Sequence, residues 1–225
     1  MSSPLPILFI GNKNYSSWSL RPWLALRWGG IAFAERLMPL GGEHYGRGTN
    51  PALRSVSPTG RIPLLDTGTV RVHESLAICE WAAERAPSLW PADADARAEA
   101  RAVSSEMHAG FAAVRRELSM NVRRRMSAPP SWSDDAAKDL DRLFGMWSDL
   151  RARFGEGGPW LFGARSIADA MFAPVVTRLR TYAVPMRAPL DAYCATVLAD
   201  ADLRAWEADA ELEPWGIAQT DALYP

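Results

Sequence analysis

The sequence predicts two domains, a mixed α/β domain followed by an all-helical domain. With 225 residues, of which 48% are apolar and 23% charged, the chain is longer than the commonest single domain and has the composition of a globular protein. Strand and helix signals alternate up to residue 85, whereas only helical patterns follow residue 95. We therefore expect domains at 1–85 and 95–225, joined by the proline-containing linker 86–94.

In the first half, apolar stretches bounded by turn residues predict the strands. The stretch 5–10 indicates a buried strand, and the stretch 34–40 indicates a second one. Between them we expect a helix that begins at 18–19 and ends at Gly29. The predicted start rests on Pro22, because proline fits best in the first turn of a helix.

The rest of the first half predicts a short helix, a hairpin and a capped helix. Asn50-Pro51 combines a preferred cap with a preferred first helical residue and follows a loop rich in glycine. The runs 62–66 and 69–72, separated by a turn, indicate a hairpin. A helix then follows Glu74-Ser75 and ends before Pro87. This order of elements is typical of a mixed sheet with helices on its faces.

The second half predicts a helical bundle without internal repeats. Ser166 and Asp169 precede an apolar run with the spacing of a capping box, and Ser133 followed by two aspartates also marks a helix start. The expected helices cover 97–120, 133–154, 166–181, 189–198 and 202–211.

Charge and residue content exclude several classes of function. The formal net charge of −1 gives no strong field for nucleic acid or an anionic membrane. Cys79, Cys194 and the three histidines lack the spacing of a disulfide framework or a metal site, so we expect no metal. No stretch approaches the roughly 20 apolar residues of a membrane span, and the start of the chain lacks a signal-peptide pattern. We therefore expect a cytoplasmic protein with a small-molecule partner.

Three hydroxyl groups gather where the first helix begins. Ser16, Ser17 and Ser19 lie at a helix amino terminus, which carries unpaired N–H groups and about half a positive charge. Such a place favours a thiolate, to which a serine hydroxyl donates a hydrogen bond. The alternative is that one of these serines only caps the helix.

Two further segments have the chemistry of a ligand site. In Arg61-Ile62-Pro63, proline interrupts a strand or places it at an edge, which frees backbone groups for a ligand; the alternative is an ordinary edge-strand turn. Glu74-Ser75 puts a carboxylate and a hydroxyl at another helix start, where they could hold an ammonium and a carboxylate together; the alternative is simple capping.

Together these segments resemble the amino-terminal signatures of cytosolic glutathione S-transferases. They are 16–21 (SSWSLR), 60–65 (GRIPLL) and 74–78 (ESLAI), in the order and spacing of that family. The stretch 166–170 (SIADA) is similar to the capping box of the family's helical domain, so the resemblance covers nearly the whole chain. It implies a thioredoxin-like domain that binds glutathione, an all-α helical domain that holds the second substrate, and a homodimer.

Carried over residue by residue, the resemblance implies how glutathione is bound. Ser16 would donate a hydrogen bond to the thiolate, with Ser17 as the fallback. Ile62, before what would be the family's cis-Pro63, would pair through its backbone with the cysteinyl unit. The other expected contacts are Glu74 and Ser75 at the γ-glutamyl end, Arg61 at the glycine carboxylate, and His44.

For the second substrate we expect a pocket bordered by Trp18, Asn121 and Arg124. The sequence concentrates basic residues at 115–116 and 123–125, which beside this pocket would favour an acidic substrate. The alternative is that these are solvated cations near a helix carboxyl end, where the helix dipole favours positive charge.

The resemblance implies an enzyme that holds glutathione as a thiolate for attack on a small electrophile or a peroxide. The serines are most similar to the zeta-type pattern Ser-Ser-Cys-Ser, but Trp18 stands at the position of the cysteine, so a zeta-like isomerase is a narrower alternative. No thiol lies near the first helix, which argues against mechanisms that need a protein cysteine. A noncatalytic glutathione-binding or protein-interaction module with the same fold is the other alternative.

Overall fold

The computed structural model of the chain describes residues 4–186 and 188–224, and it begins with a mixed sheet. The sheet has the order β2-β1-β3-β4; β1 pairs in parallel with β2 and antiparallel with β3, and β3 pairs antiparallel with β4. The predicted hairpin is therefore confirmed. The strands are β1 (Ile7–Ile10), β2 (Ala34–Leu37), β3 (Leu64–Asp66) and β4 (Arg71–His73).

The second strand is shorter than the sequence predicts. It ends at Leu37 instead of residue 40, although Met38 still donates a backbone hydrogen bond to Ile10. Beyond it, the N–H group of Leu40 donates to the side-chain oxygen of Asn12 at 2.5 Å instead of to a strand. A side chain from the loop after β1 thus ends the ladder, which a local apolar pattern does not reveal.

Three helices pack around this sheet, and two of their starts differ from the predictions. The first begins at Ser17, one residue before the predicted start at 18–19, and Pro22 lies in its second turn instead of its first. The last begins at Ser75, but Glu74 makes no side-chain hydrogen bond to the helix, so the capping alternative for Glu74 is wrong. The helices are α1 (Ser17–Trp28), α2 (Pro51–Val56) and α3 (Ser75–Ala83).

The second half is helical, as predicted. A 3₁₀ turn, Pro87–Leu89, lies in the predicted linker, and seven helices follow within the described residues. None of the described helices is long and apolar enough to cross a membrane. The helices are α4 (Ala94–Ala109), α5 (Ala112–Glu117), α6 (Asp134–Phe154), α7 (Ile167–Thr181), α8 (Leu190–Ala199), α9 (Ala201–Glu211) and α10 (Ala218–Asp221).

The helix predicted at 97–120 is in fact two helices, so this prediction is wrong. The chain breaks between α4 and α5, where Phe111 adopts the left-handed conformation with φ 58° and buries its ring. The carboxylate of Asp139 on α6 accepts hydrogen bonds from the N–H groups of Ala113 and Val114 and so caps the new helix. The cap comes from 25 residues farther along the chain, so no local sequence pattern announces it.

One continuous hydrophobic core joins the two halves. Helix α1 packs against α3 on the side of the sheet and against α7 and α9 of the helical half. Arg21 of α1 is fully buried and donates a hydrogen bond to the carbonyl oxygen of Met171 in α7. We propose domain limits at 1–85 and 95–225, since the change from sheet to helices falls at Pro87–Leu89. Residues 1–3, 187 and 225 lie outside the described part.

A buried capping box opens α7. The carboxylate of Asp169 accepts hydrogen bonds from the N–H and hydroxyl groups of Ser166, at 2.9 and 3.1 Å, and from the N–H group of Leu161, at 3.1 Å. Burial raises the pKa of Asp169 to about 6, so the group is mainly ionised at pH 7.5. One side chain thus satisfies several buried donors at the centre of the helical half.

We predict that Asp169→Ala lowers the free energy of unfolding by about 3 kcal/mol, because it leaves these buried donors without an acceptor. Urea unfolding at pH 7.5 measures the loss. Asp134→Ala is the matched control, since Asp134 is exposed in the first turn of α6 and should change stability by less than about 0.5 kcal/mol. Equal losses for the two variants would contradict this assignment.

Candidate active site

Ser16 lies at the junction between the sheet and α1. It is the N-cap of α1: its Oγ accepts a hydrogen bond from the N–H group of Ser19 at 3.3 Å. Its hydroxyl donates to the Oγ of Ser19 at 2.8 Å, and that oxygen also accepts from the N–H group of Gly11 at 3.0 Å. Ser19 therefore ties the end of β1 to the helix, while Ser16 caps the helix beside a cavity.

The loop before Ser16 is held by the end of the chain. The carboxylate of Glu213 accepts hydrogen bonds from the N–H groups of Lys13 and Asn14, at 2.6 and 3.1 Å. The indole N–H of Trp206 donates to the carbonyl oxygen of Lys13 at 2.8 Å, and the hydroxyl of Tyr15 donates to the carboxylate of Asp221 at 2.8 Å. We call Trp206, Glu213 and Asp221 the C-terminal clamp.

A cavity of about 400 Å³ opens beside the start of α1. Five residues of the predicted site line it, and they come from the loop before α1, from α1 itself, from the glycine-rich loop and from the segment before β3. Unpredicted lining residues include Tyr15, Leu40 and Tyr45. The predicted residues that meet here are Ser16, Trp18, His44, Arg61 and Ile62.

The cavity wall leaves several polar groups available. Arg61 is exposed and makes no ion pair within the described part of the chain. Ile62 makes no backbone hydrogen bond to another described residue, and the peptide bond between Ile62 and Pro63 is cis. His44 contacts Thr49, with 3.1 Å between Nδ1 and the hydroxyl oxygen. The wall therefore offers a guanidinium, an imidazole and free backbone groups to a ligand.

Position 60, in the lining of the cavity, requires a glycine. Gly60 has φ 64°, in the left-handed region, and a Cβ atom there would lie 2.5 Å from the carbonyl oxygen of Gly48. Only a residue without a side chain permits this approach of two lining segments.

Ser17, Glu74 and Ser75 do not line the cavity. Ser17 is buried, and its hydroxyl has no hydrogen-bond partner among the described residues. Glu74 has φ 72°, uncommon for a residue with a side chain, and its carboxylate lies 3.6 Å from Nε2 of His108. Ser75 is buried, and its hydroxyl also has no partner within residues 4–186 and 188–224. Glu74 connects to the cavity indirectly, because the ring of His108 packs edge-on against Trp18.

Asn121 and Arg124, predicted at the second-substrate pocket, contact α10 and do not line the cavity. The side-chain amide of Asn121 donates to the carboxylate of Asp221 at 3.0 Å, and the guanidinium of Arg124 donates to the carbonyl oxygen of Asp221 at 2.7 Å. In this structure both residues hold the C-terminal clamp in place.

The amino-terminal part of the chain matches a known family model. Residues 15–85 match the family model described as glutathione S-transferase, N-terminal domain. This match covers the cavity residues Ser16, Arg61 and Ile62. Similar solved structures include a glutathione transferase homologue from Burkholderia gl BGR1 with bound glutathione, with TM-score 0.67, 22% identity, and coverage of 92% of this chain and 97% of that one.

Two further relatives extend this comparison. A glutathione transferase homologue from Sulfitobacter with bound glutathione has TM-score 0.66 and 19% identity and covers 92% of this chain and 99% of its own. A maleylpyruvate isomerase from Ralstonia sp is 28% identical over 200 residues, which cover 81% of this chain and 91% of that protein. The glutathione S-transferase architecture, a thioredoxin-like domain followed by an all-helical domain, is thereby confirmed.

The two cysteines of the chain are buried, whereas a nucleophilic cysteine needs an accessible thiolate. Cys79 and Cys194 are both buried, and burial raises the pKa of each thiol above its ordinary value, that of Cys194 to about 12. Among the described residues, no group of three or more His, Cys, Asp or Glu side chains is arranged to hold a metal ion.

The sequence did not reveal the C-terminal clamp or the role of Tyr15. Glu213 lies 200 residues from Lys13 and just after α9, and no local pattern distinguishes it from the other acidic residues there. The cluster of hydroxyl residues at 15–19 is the sequence feature that indicates Tyr15. The glycine-rich loop is the feature that indicates the lining residues near Tyr45.

We predict that Glu213→Gln loosens the loop before Ser16. A glutamine accepts through one oxygen only and turns an NH₂ group toward the second N–H donor, which costs about 1–3 kcal/mol locally. Hydrogen exchange at the amides of Lys13 and Asn14 should accelerate by roughly tenfold or more. Glu211→Gln, an exposed neighbour, is the control; unchanged exchange in Glu213→Gln would show that the clamp does not hold the loop.

Proposed function

We propose that this chain is a serine-type glutathione transferase that binds glutathione in the cavity beside α1 and activates its thiol as a thiolate. The observation that carries the proposal is the convergence of Ser16, Arg61 and Ile62 on one cavity of about 400 Å³ at the amino terminus of α1. Glutathione is then a co-substrate, and the reaction partner is a small electrophile or a peroxide.

Ser16 is the proposed donor to the sulfur atom. Its hydroxyl donates to Ser19 Oγ, but a hydroxyl rotates about its C–O bond and can donate elsewhere. When the hydroxyl of Ser16 donates to a thiolate, its oxygen still accepts a hydrogen bond from the N–H group of Ser19, so the helix cap is retained. The positive end of the helix dipole favours the anion further.

The remaining contacts would fix the tripeptide along the cavity. Arg61 would pair with the glycine carboxylate, since its guanidinium is exposed and makes no ion pair among the described residues. The backbone of Ile62 would pair with the cysteinyl unit. Glu74 and the unpartnered hydroxyl of Ser75 would hold the γ-glutamyl end, and the strained backbone of Glu74 supports a role for it. His44 is an additional contact from the glycine-rich loop.

A second substrate would reach the sulfur along Trp18, which lines the cavity beside Ser16. For Asn121 and Arg124, the contacts with Asp221 favour an indirect role: they would position the C-terminal clamp that borders the second-substrate pocket. We also propose a homodimer, on the basis of the family resemblance.

A glutathione-dependent isomerase is the second candidate function. The observation that favours it is the 28% identity to a maleylpyruvate isomerase over 200 residues. Both candidates use the same glutathione site, so they differ only in the second substrate. A noncatalytic glutathione-binding module remains the third hypothesis.

We predict that Ser16→Ala lowers kcat/KM for glutathione conjugation by roughly 10- to 100-fold, the effect of one lost hydrogen bond to a charged group. Ser16→Gly should lower it as much while costing the helix only a few tenths of a kcal/mol, which separates chemistry from capping. Ser17→Ala is the control and should change kcat/KM less than about twofold, since Ser17 does not line the cavity. A loss in Ser17→Ala alone would transfer the role to Ser17.

The substrates used in this assay distinguish the candidate functions. Turnover of a chloronitrobenzene, an isothiocyanate or a hydroperoxide supports the transferase. Isomerisation of maleylpyruvate without turnover of these compounds supports the isomerase. Retention on immobilised glutathione without any turnover would leave only the binding module.

A further inference from the structure

Three basic side chains pack against Trp18, and a fourth, Arg178, is buried near two of them. The guanidinium carbons of Arg21 and Arg115 lie 4.6 and 5.0 Å from the centre of an indole ring, and the ring of His108 lies 5.2 Å away. Arg178 of α7 repels both Arg21 and Arg115 electrostatically. We call Arg21, His108, Arg115 and Arg178 the cation cluster.

Several nitrogen atoms of this cluster are buried without a hydrogen-bond partner. They are both terminal nitrogens of Arg21, Nε and one terminal nitrogen of Arg178, and Nδ1 of His108, within the part of the chain that the structure describes. Arg21 is 0% exposed and Arg178 is 3% exposed. Buried N–H groups of charged side chains are nearly always bonded, because leaving them unpaired costs several kcal/mol. The cluster therefore needs an acceptor.

No carboxylate of the described residues supplies this acceptor to Arg21 or Arg178. Glu74 approaches only His108, at 3.6 Å, and is 57% exposed. Asp139 accepts the N–H groups at the start of α5. Burial raises the pKa of the neighbouring Cys79 thiol, so that group stays neutral. Asp139 attracts Arg115, and Glu74 attracts His108, but Arg21 and Arg178 have no carboxylate partner among the described residues.

The pKa values of Arg21 and Arg178 are both lowered, as expected for buried cations that lie close together. Burial, followed by repulsion from Arg178 and Arg115, lowers the pKa of Arg21 well below its ordinary value. Burial and repulsion from Arg115 lower the pKa of Arg178 to about 10. Even so, Arg178 is protonated at neutral pH, so an anion at this place would relieve mutual repulsion as well as accept hydrogen bonds.

We propose that the cation cluster binds a small inorganic anion of the size and charge of chloride. The ion must be small because the nitrogen atoms without a partner are shielded from solvent. Arg21, Arg115 and Arg178 also do not line the cavity that contains Ser16. The ion is therefore an integral part of the fold rather than a group of an entering substrate. It would hold Trp18, which forms part of that cavity's wall, in a fixed orientation.

Thermal unfolding without glutathione tests the proposal independently of catalysis. At constant ionic strength, replacing gluconate by chloride should raise the Tm along a saturable curve, because a ligand that binds only the folded state stabilises it. A general salt effect would rise without saturation. Arg178→Gln should abolish the saturable increase, or weaken the apparent affinity by roughly tenfold or more, since it removes a charged donor.

Arg116→Gln is the matched control, since Arg116 is exposed on α5 and pairs with Glu117. It should retain the full chloride response. Should Arg178→Gln fail to fold, Arg115→Gln, at a half-buried position, serves as the second variant and should also weaken the response.

Bromide gives the direct structural readout on the unmodified protein. A crystal grown in bromide should give an anomalous peak within hydrogen-bond distance of the guanidinium groups of Arg21 and Arg178. Equal Tm values in chloride and gluconate, together with the absence of this peak, would overturn the proposal and leave ordered water as the partner of these nitrogens.

Discussion

The position of Ser16 depends on how the preceding loop is held, and hydrogen bonds from the far end of the chain hold it. Glu213 accepts the two consecutive backbone N–H groups of Lys13 and Asn14, and Trp206 donates to the carbonyl oxygen between them. A carboxylate that accepts two buried N–H groups is a strong and directional constraint. The helical half therefore determines the geometry at the start of α1, although the cavity is lined by residues from the first half of the chain.

Lys13 strengthens the same junction with its side chain. Its ammonium group is buried, pairs with Glu35 of β2 at 2.8 Å and with Asp209 of α9 at 2.6 Å, and lies over the rings of Trp23 and Trp206. A buried ion pair adds little net stability but penalises any arrangement in which the partners separate. Lys13 thus specifies how the sheet and the helical half meet, close to the residue proposed to bind the thiolate.

The structure contains two kinds of polar group without a hydrogen-bond partner, and we assign them different roles. The backbone of Ile62 is a neutral group in the wall of an open cavity, which suits a ligand that enters and leaves. The nitrogens of Arg21 and Arg178 are charged and enclosed, which suits an ion that is retained with the fold. Trp18 separates these two environments, so its orientation links the proposed substrate site to the proposed ion site.

The sequence predicted the parts of the fold that local patterns determine. The caps Ser133, Asn50 and Ser166 mark helix starts in both the pattern and the structure, because an N-cap is a contact within three residues. The break at Phe111 was missed because its cap, Asp139, comes from another helix. Long-range contacts limited the site prediction in the same way. Ser16, Arg61 and Ile62 meet at the cavity. Asn121 and Arg124 instead contact Asp221, which lies in a tenth helix that the sequence pattern did not indicate.

The central claim is that Ser16 and the start of α1 stabilise a glutathione thiolate. Titration of the enzyme-bound thiol, followed by the ultraviolet absorbance of the thiolate, tests it most directly. We expect the pKa of the bound thiol to lie at least about one unit below that of free glutathione, which corresponds to about 1.4 kcal/mol, and Ser16→Gly to remove part of this shift. A bound thiol with the same pKa as glutathione in buffer would contradict the claim.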